Sequence, residues 1–129
     1  MERMEKQIVM EKEFVPYELA VKLKEIGFDE ECFGYYTELE DFVMRPHLRQ
    51  QDCIEGKFLA PTWQSAFRWF REKYNLVFNF ISYNIVKPRE YHWSITWNDE
   101  AKATGIVKTY EEAELACLKK LIQIVKEKL

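Results

Sequence analysis

Apolar residues recur at helical spacing in three stretches of the chain, and each stretch carries a start or stop signal. The first stretch predicts a helix from Pro16 to Ile26, with a stripe of Leu19, Ala20, Leu23 and Ile26. Pro16 suits the first turn, because its missing N–H costs nothing there, and Gly27 supplies a left-handed stop.

A second helix is predicted to open at Pro61, with Thr62 in its first turn. The residues expected to face the core are Trp63, Ala66, Phe67, Phe70 and Tyr74. Trp69 falls at the edge of that face. The polar side carries Arg68, Arg71 and Glu72.

The last helix is predicted from Thr109 almost to Leu129, because Thr109 with Glu112 matches a capping box. Acidic residues precede basic ones along it, as the helix dipole favours. Two adjacent apolar stripes predict a wide buried face, and they consist of Ala113, Cys117, Leu121 and Ile124, and of Leu115, Leu118, Ile122 and Val125.

Between these helices the pattern favours strands. Leu76–Val86 alternates with a change of parity that predicts a bulge near Phe80. After a turn at Lys87–Glu90, the clearest half-buried strand has Tyr91, Trp93, Ile95 and Trp97 on one side and His92, Ser94, Thr96 and Asn98 on the other. Ala103–Lys108 predicts a shorter third strand.

The polar middle of the chain is harder to interpret. Cys32–Thr37 predicts a short strand, and Ile54–Leu59 allows a second. Residues 38–57 hold Pro46, His47 and mixed charges without periodicity, so they are predicted to be irregular. Residues 1–13 are predicted to be a frayed, charged N-terminus.

These elements predict an α+β fold in one domain, residues 1–129. An antiparallel sheet of three or more strands packs on helices, with α-β-β-β-α in the C-terminal half and an added N-terminal helix and short strand. The chain is 47% hydrophobic and 16% aromatic, too apolar for disorder. We expect aromatic side chains to dominate the core.

Net charge and cysteine content limit the binding partners and the cellular compartment that can be expected. The net charge of -3 gives no global attraction to nucleic acid or anionic membranes. The three cysteines are odd in number and lack CxxC spacing, which favours a reducing compartment. No apolar run is long enough for a transmembrane helix, and the N-terminus lacks the apolar centre of a signal peptide. We therefore expect a cytoplasmic protein that does not bind membranes.

No residue pattern points to catalysis, a cofactor or a metal. His47 and Cys53 are too few for a zinc site, and Cys117 lies on an apolar helix face. Cys32 is expected to pack, which leaves Cys53 as the plausible exposed thiol. The acidic cluster Glu38, Glu40 and Asp41 suits a solvated loop, and glycines never cluster into a phosphate loop. The sequence predicts no catalytic, cofactor-binding or metal-binding residue and a protein that is not an enzyme.

Two surfaces are candidates for binding. A basic helix face and the following turn form a candidate interaction surface of Arg68, Trp69, Arg71, Lys73, Lys87 and Arg89. Its alternative is a solvated face with Trp69 packed at the margin. The polar strand side with His92, Ser94 and Thr96 is a platform for a partner if it is uncovered, and structural if the first helix and the Cys32 strand cover it.

The helix–three strands–helix order after residue 61 resembles the double-stranded RNA-binding domain. Supporting details are the Lys87–Arg89 turn with its proline, and Gly105 shortly before Thr109. That family aims a lysine cluster at RNA phosphates from the start of its last helix. Here the corresponding residues are Tyr110, Glu111 and Glu114, and acidic groups repel phosphates, so the RNA function is not implied.

Three other segments look similar to small uncharacterised proteins of gut Bacteroidales and their phages: Phe33–Tyr36, Ala66–Tyr74 and Tyr110–Lys128. The resemblance implies a phage or mobile-element protein in the bacterial cytoplasm, without an activity to transfer.

Three functional hypotheses follow. The first is a non-enzymatic protein that binds another macromolecule, with a protein as the expected partner. The second is a nucleic-acid-binding domain that uses the basic helix face. The third is a small-ligand binder with a pocket closed by residues 38–57, since long irregular segments are often functional.

Overall fold

A computed structural model describes residues 12–53, 56–83 and 90–128. The chain divides into two compact units, residues 1–66 and 67–129, and the division falls within a helix. Helices and antiparallel strands follow the predicted order broadly, which confirms the α+β class, but one strand was not predicted and the described strands form two sheets where one was predicted. The interpretation of 1–129 as one domain stays a prediction.

The first unit opens with helix α1, Tyr17–Glu25, close to its predicted limits. Leu19, Ala20 and Leu23 are buried along its stripe. Gly27 has a φ of 90°, and the N–H of Phe28 donates to the carbonyl of Leu23 at 3.0 Å. The predicted glycine stop is therefore confirmed.

The prediction of a frayed N-terminus was wrong for Lys12 and Glu13, because both are hydrogen-bonded. The indole N–H of Trp63 donates to the carbonyl of Lys12 at 3.1 Å, and the backbone N–H of Trp63 donates to Glu13 at 3.3 Å. Phe14 also bridges to Thr62. These bonds hold the chain from residue 12 onward, and residues 1–11 lie outside the described part.

The first sheet has the order β2-β1-β3, with β1 at Cys32–Tyr36, β2 at Phe42–Leu48 and β3 at Phe58–Leu59. The interpretation of residues 38–57 as irregular was wrong, since they contain β2 and a 3₁₀ turn at Gln50–Asp52. Only the two ends of β2 are buried, so it shows no alternation. β3 is shorter than predicted, and residues 54 and 55 lie outside the described ranges.

Aromatic residues build the core of the first unit. Phe14, Ala20, Tyr36, Phe42 and Ala60 form a buried cluster, with Tyr17 and Phe58 packed against it. The Tyr36 hydroxyl donates to the carbonyl of Val15 at 2.7 Å, so its polar end is satisfied.

Helix α2, Trp63–Tyr74, begins after Thr62, whose hydroxyl accepts the N–H of Ser65 at 3.1 Å. Thr62 is thus the cap and not part of the first turn. The second unit continues with β4 at Leu76–Tyr83, β5 at Glu90–Trp97 and β6 at Glu100–Val107, in the sheet order β4-β5-β6. β6 is longer than the predicted third strand.

The predicted bulge near Phe80 was wrong, because the β4–β5 register runs without a break from Leu76–Trp97 to Tyr83–Glu90. The parity change reflects Ile81, which stays half exposed. The register shift lies in β6 instead: Ala103 pairs with Ile95 and Ala101 with Thr96, which leaves Lys102 as the extra residue.

A tight turn joins β5 to β6. Asn98 and Asp99 both have positive φ, 52° and 63°, as a type I′ hairpin requires. Trp93 packs over Gly105 on the neighbouring strand, so closely that a Cβ on Gly105 would lie 2.3 Å from the indole nitrogen.

Helix α3, Tyr110–Lys128, contacts all three strands of the second sheet. The Thr109 hydroxyl accepts the N–H of Glu112 at 3.1 Å, which confirms the predicted cap. The Glu112 carboxylate accepts from the N–H of Lys108 at 3.3 Å, one residue before the capping-box position. Cys117, Leu118 and Leu121 are fully buried on its apolar face.

Candidate interaction surface

The side of the second sheet opposite the tryptophans is exposed to solvent. We call it the open face, and it comprises Val77, Asn79 and Ile81 of β4, His92, Ser94 and Thr96 of β5, and Thr104 and Ile106 of β6. Asn79, Ile81, Thr104 and Ile106 are exposed, and the central β5 residues are partly exposed. His92, Ser94 and Thr96 are partly accessible there, and their role as a platform for a partner stays a prediction.

Strand register arranges the open face in rows. Ile81 pairs with His92, and His92 pairs with Ile106, so two isoleucines flank one imidazole. Ile81 is 50% exposed and Ile106 is 61% exposed. The next row is polar, because Asn79 pairs with Ser94 and Ser94 with Thr104.

The eight residues of the open face include one titratable group, His92. Its ring nitrogen Nε2 lies 3.4 Å from the carboxylate of Glu90, which is exposed and lies on the same side of β5. None of the eight residues is Lys or Arg. Apolar side chains and short hydroxyl and amide groups therefore dominate its chemistry.

The basic helix face is only partly as predicted. Arg68 and Arg71 are exposed and form no ion pair or hydrogen bond within the described part of the chain. Lys73 places its ammonium 5.1 Å from the centre of the Trp69 ring. Lys87 and Arg89 lie outside the described residues.

Trp69 does not belong to an accessible surface, which corrects its place among the interaction residues. It is only 2% exposed and packs edge-on against Phe70 at 5.0 Å and Tyr74 at 5.3 Å. The helical wheel placed it at a margin, but neighbouring rings enclose it. The alternative of a packed Trp69 is the one observed.

All three thiols are buried, so the expectation of an exposed Cys53 was wrong. Burial raises the pKa of Cys32 and of Cys117 to about 12, and burial also raises the pKa of Cys53 despite nearby Lys24 and Lys57. The buried thiols are protonated at neutral pH and poorly suited to nucleophilic attack.

His47 and the carboxylates lie at the surface of the first unit. His47 Nδ1 lies 2.6 Å from the Glu31 carboxylate, and the His47 side chain is 82% exposed. Glu38, Glu40 and Asp41 are exposed as predicted. Among residues 12–53, 56–83 and 90–128, no three His, Cys, Asp or Glu side chains are grouped to hold a metal ion.

A pocket of about 330 Å³ lies in the second unit. Its walls combine apolar residues with a polar rim: Tyr74, Leu76, Trp97, Ile124 and Val125, and Glu72, Lys73, Asn75 and Asn98. Asn75 donates to the side-chain oxygen of Asn98 at 3.2 Å. None of its lining residues comes from 38–57, the segment predicted to close a pocket.

The sequence contained a signal for the open face that pattern reasoning missed. Ile81 and Ile106 are apolar residues on the polar side of their strands. Ile81 was explained by a predicted bulge, and Ile106 was assigned only to a short predicted strand. Cross-strand register, which a single strand does not carry, brings them together beside His92.

No protein-family model, curated protein or solved structure matches this chain. Within the described part of the molecule, no helix is long and apolar enough to span a membrane.

Proposed function

We propose that this chain is a non-enzymatic binding protein and that its open face docks another protein. The observation that carries the proposal is the row Ile81–His92–Ile106, with an isoleucine at each end that is at least half exposed. An exposed apolar patch with a polar surround is typical of a protein interaction site.

The composition of the open face favours protein over nucleic acid. Interface centres are depleted of charge, whereas nucleic-acid binding relies on Lys and Arg that displace counterions from phosphates. Asn79, Ser94 and Thr104 offer hydrogen bonds at little side-chain entropy cost. Under the resemblance to phage proteins, the partner would be a host protein.

The test is an affinity pulldown from the source organism with matched variants and nuclease treatment. We expect a nuclease-resistant protein partner with the unmodified chain, and its loss with Ile81→Ser/Ile106→Ser. Leu39→Ser is the matched control, since Leu39 is 83% exposed and lies in the first unit. If the double variant recovers the same proteins as the control, the open face is not the docking surface.

A second function, nucleic-acid binding, rests on Arg68 and Arg71, which project from α2 without a described ion-pair partner. The same pulldown separates it, because nuclease would then abolish recovery and Arg68→Ala/Arg71→Ala would weaken binding in a salt-dependent manner. Lys119→Ala, on an exposed side of α3, is its control.

A further inference from the structure

The pocket of the second unit has an apolar interior. All of its lining residues fall between positions 72 and 125, so the second unit forms it alone. Leu76, Ile124 and Val125 are buried beside it, and the partly exposed rings of Tyr74 and Trp97 form its aromatic walls. Its volume of about 330 Å³ lies at the lower end of the range of about 300–1,000 Å³ that is usual for small-molecule sites. The pocket therefore suits a compact ligand with an apolar body.

The rim of the pocket carries two opposite charges. Glu72 and Lys73 are neighbours on α2, both line the pocket, and both are exposed. Neither forms an ion pair within residues 12–53, 56–83 and 90–128. The Lys73 ammonium lies 5.7 Å from the centre of the Tyr74 ring, which keeps it at an aromatic wall of the pocket. The rim thus offers one anion and one cation to a ligand.

Two side-chain amides complete the rim. The Asn75 amide N–H donates to the side-chain oxygen of Asn98 at 3.2 Å. Both residues have positive φ, 57° and 52°, a conformation that asparagine tolerates better than most residues. This bond uses neither the side-chain oxygen of Asn75 nor the amide nitrogen of Asn98. One acceptor and one donor are therefore available for hydrogen bonds to a ligand.

We propose that this pocket binds a free α-amino acid with a large apolar side chain, such as phenylalanine. Its carboxylate lies towards Lys73 and its ammonium towards Glu72. Its side chain lies over Leu76, Ile124 and Val125, between the aromatic walls. A zwitterion complements both charges of the rim, whereas a ligand with a single charge pairs with one of them and is repelled by the other.

This inference goes beyond the proposed function and does not depend on it. The pocket contains none of the residues of the open face. Leu76 and Trp97 pair with each other on the tryptophan side of the second sheet, opposite the open face. Amino-acid binding and protein docking can therefore be lost separately.

NMR titration of the ¹⁵N-labelled full chain with L-phenylalanine tests the proposal. We expect saturable shifts of the Trp97 indole N–H and of the Asn75 and Asn98 side-chain amides, with a dissociation constant below about 1 mM. Phenethylamine and 3-phenylpropanoate keep the ring but lack one charge, and glycine keeps both charges but lacks the apolar body. Each should bind at least about tenfold more weakly. Binding of L-phenylalanine weaker than about 1 mM overturns the proposal, as do shifts confined to residues outside the pocket or equal binding of a single-charge analogue.

Substitutions at the rim test the two charges in the same titration. Lys73→Gln and Glu72→Gln should each raise the dissociation constant for L-phenylalanine by at least about tenfold, because each removes one ionic contact. Arg71→Gln is the matched control, since Arg71 is an exposed cation of α2 that does not line the pocket. It should leave the dissociation constant unchanged. If the two rim variants bind as well as this control, the zwitterion site is refuted. Circular dichroism confirms that each variant is folded.

Discussion

In the described part of the chain each of the two sheets has three strands, but their edges and faces differ. In the first sheet, a bulge and Pro46 close the outer edge of β2, and aromatic rings bury one face. In the second sheet, α3 packs on one face, the other face carries the exposed Ile81 and Ile106, and the edge strand β6 has a bulge at Lys102 but no proline.

This difference bears on the proposed binding surface. Exposed apolar side chains with polar neighbours occur on the second sheet, and such groups are common at protein interaction sites. The second sheet therefore concentrates the candidate binding features, although both sheets are built from the same residue types.

The largest expected change in unfolding free energy distinguishes a substitution on the covered face of the second sheet from one on the open face. Ile95→Ala on the covered face should lower the free energy of unfolding by about 2–5 kcal/mol, because Ile95 is completely buried and its loss leaves a cavity. Ile81→Ala on the open face should change it by less than about 0.5 kcal/mol. Equilibrium urea unfolding measures both, and equal losses would mean that the open face is buried.

A smaller loss of unfolding free energy is expected when a glycine in either sheet is replaced by alanine, and it allows the two sheets to be compared. Gly105→Ala should destabilise the protein by about 1–3 kcal/mol, because the new methyl group would overlap the packed Trp93 indole. Gly34→Ala should cost less, since a Cβ added there would lie 2.8 Å from the Phe42 ring and not 2.3 Å from a neighbouring ring atom. Thr104→Ala, beside Gly105 but exposed, serves as the control in the same unfolding experiment. A greater loss for Gly34→Ala would contradict the tighter packing of the second sheet.

The smallest effect concerns the helices attached to the sheets. Thr109→Ala should lower the unfolding free energy by about 1 kcal/mol through loss of the hydroxyl bond to the N–H of Glu112. Helix α1 has no equivalent bond to lose, because its cap is Pro16. Thr109→Ser keeps the hydroxyl and should stay close to the unmodified value, and a loss as large as that of Thr109→Ala would argue against the cap.

Strong local signals made much of the fold predictable. The stripes of α3 and the alternation of β5 each combine a clear period with recognisable ends, and the structure places both close to the predicted limits. β2 was missed because four of its interior residues are exposed and Pro46 interrupts it. The edge position that makes Pro46 tolerable is a property of the sheet and not of the segment.

The candidate site was less predictable than the fold. Arg68 and Arg71 were placed correctly on an exposed face, but Trp69 and Cys53 proved buried. A helical wheel assigns direction along one element, whereas burial depends on every neighbour that packs there. For Trp69 these neighbours include the rings of Phe70 and Tyr74.

The sequence by itself determined the helices, the hairpin strands and the difference between the two sides of β5, because these follow from local periodicity and backbone preferences. Only the tertiary structure decided that the polar side of β5 is partly exposed and that Ile81 and Ile106 flank His92 on it. Strand pairing and coverage are contacts between residues far apart in the chain, and no local pattern specifies them.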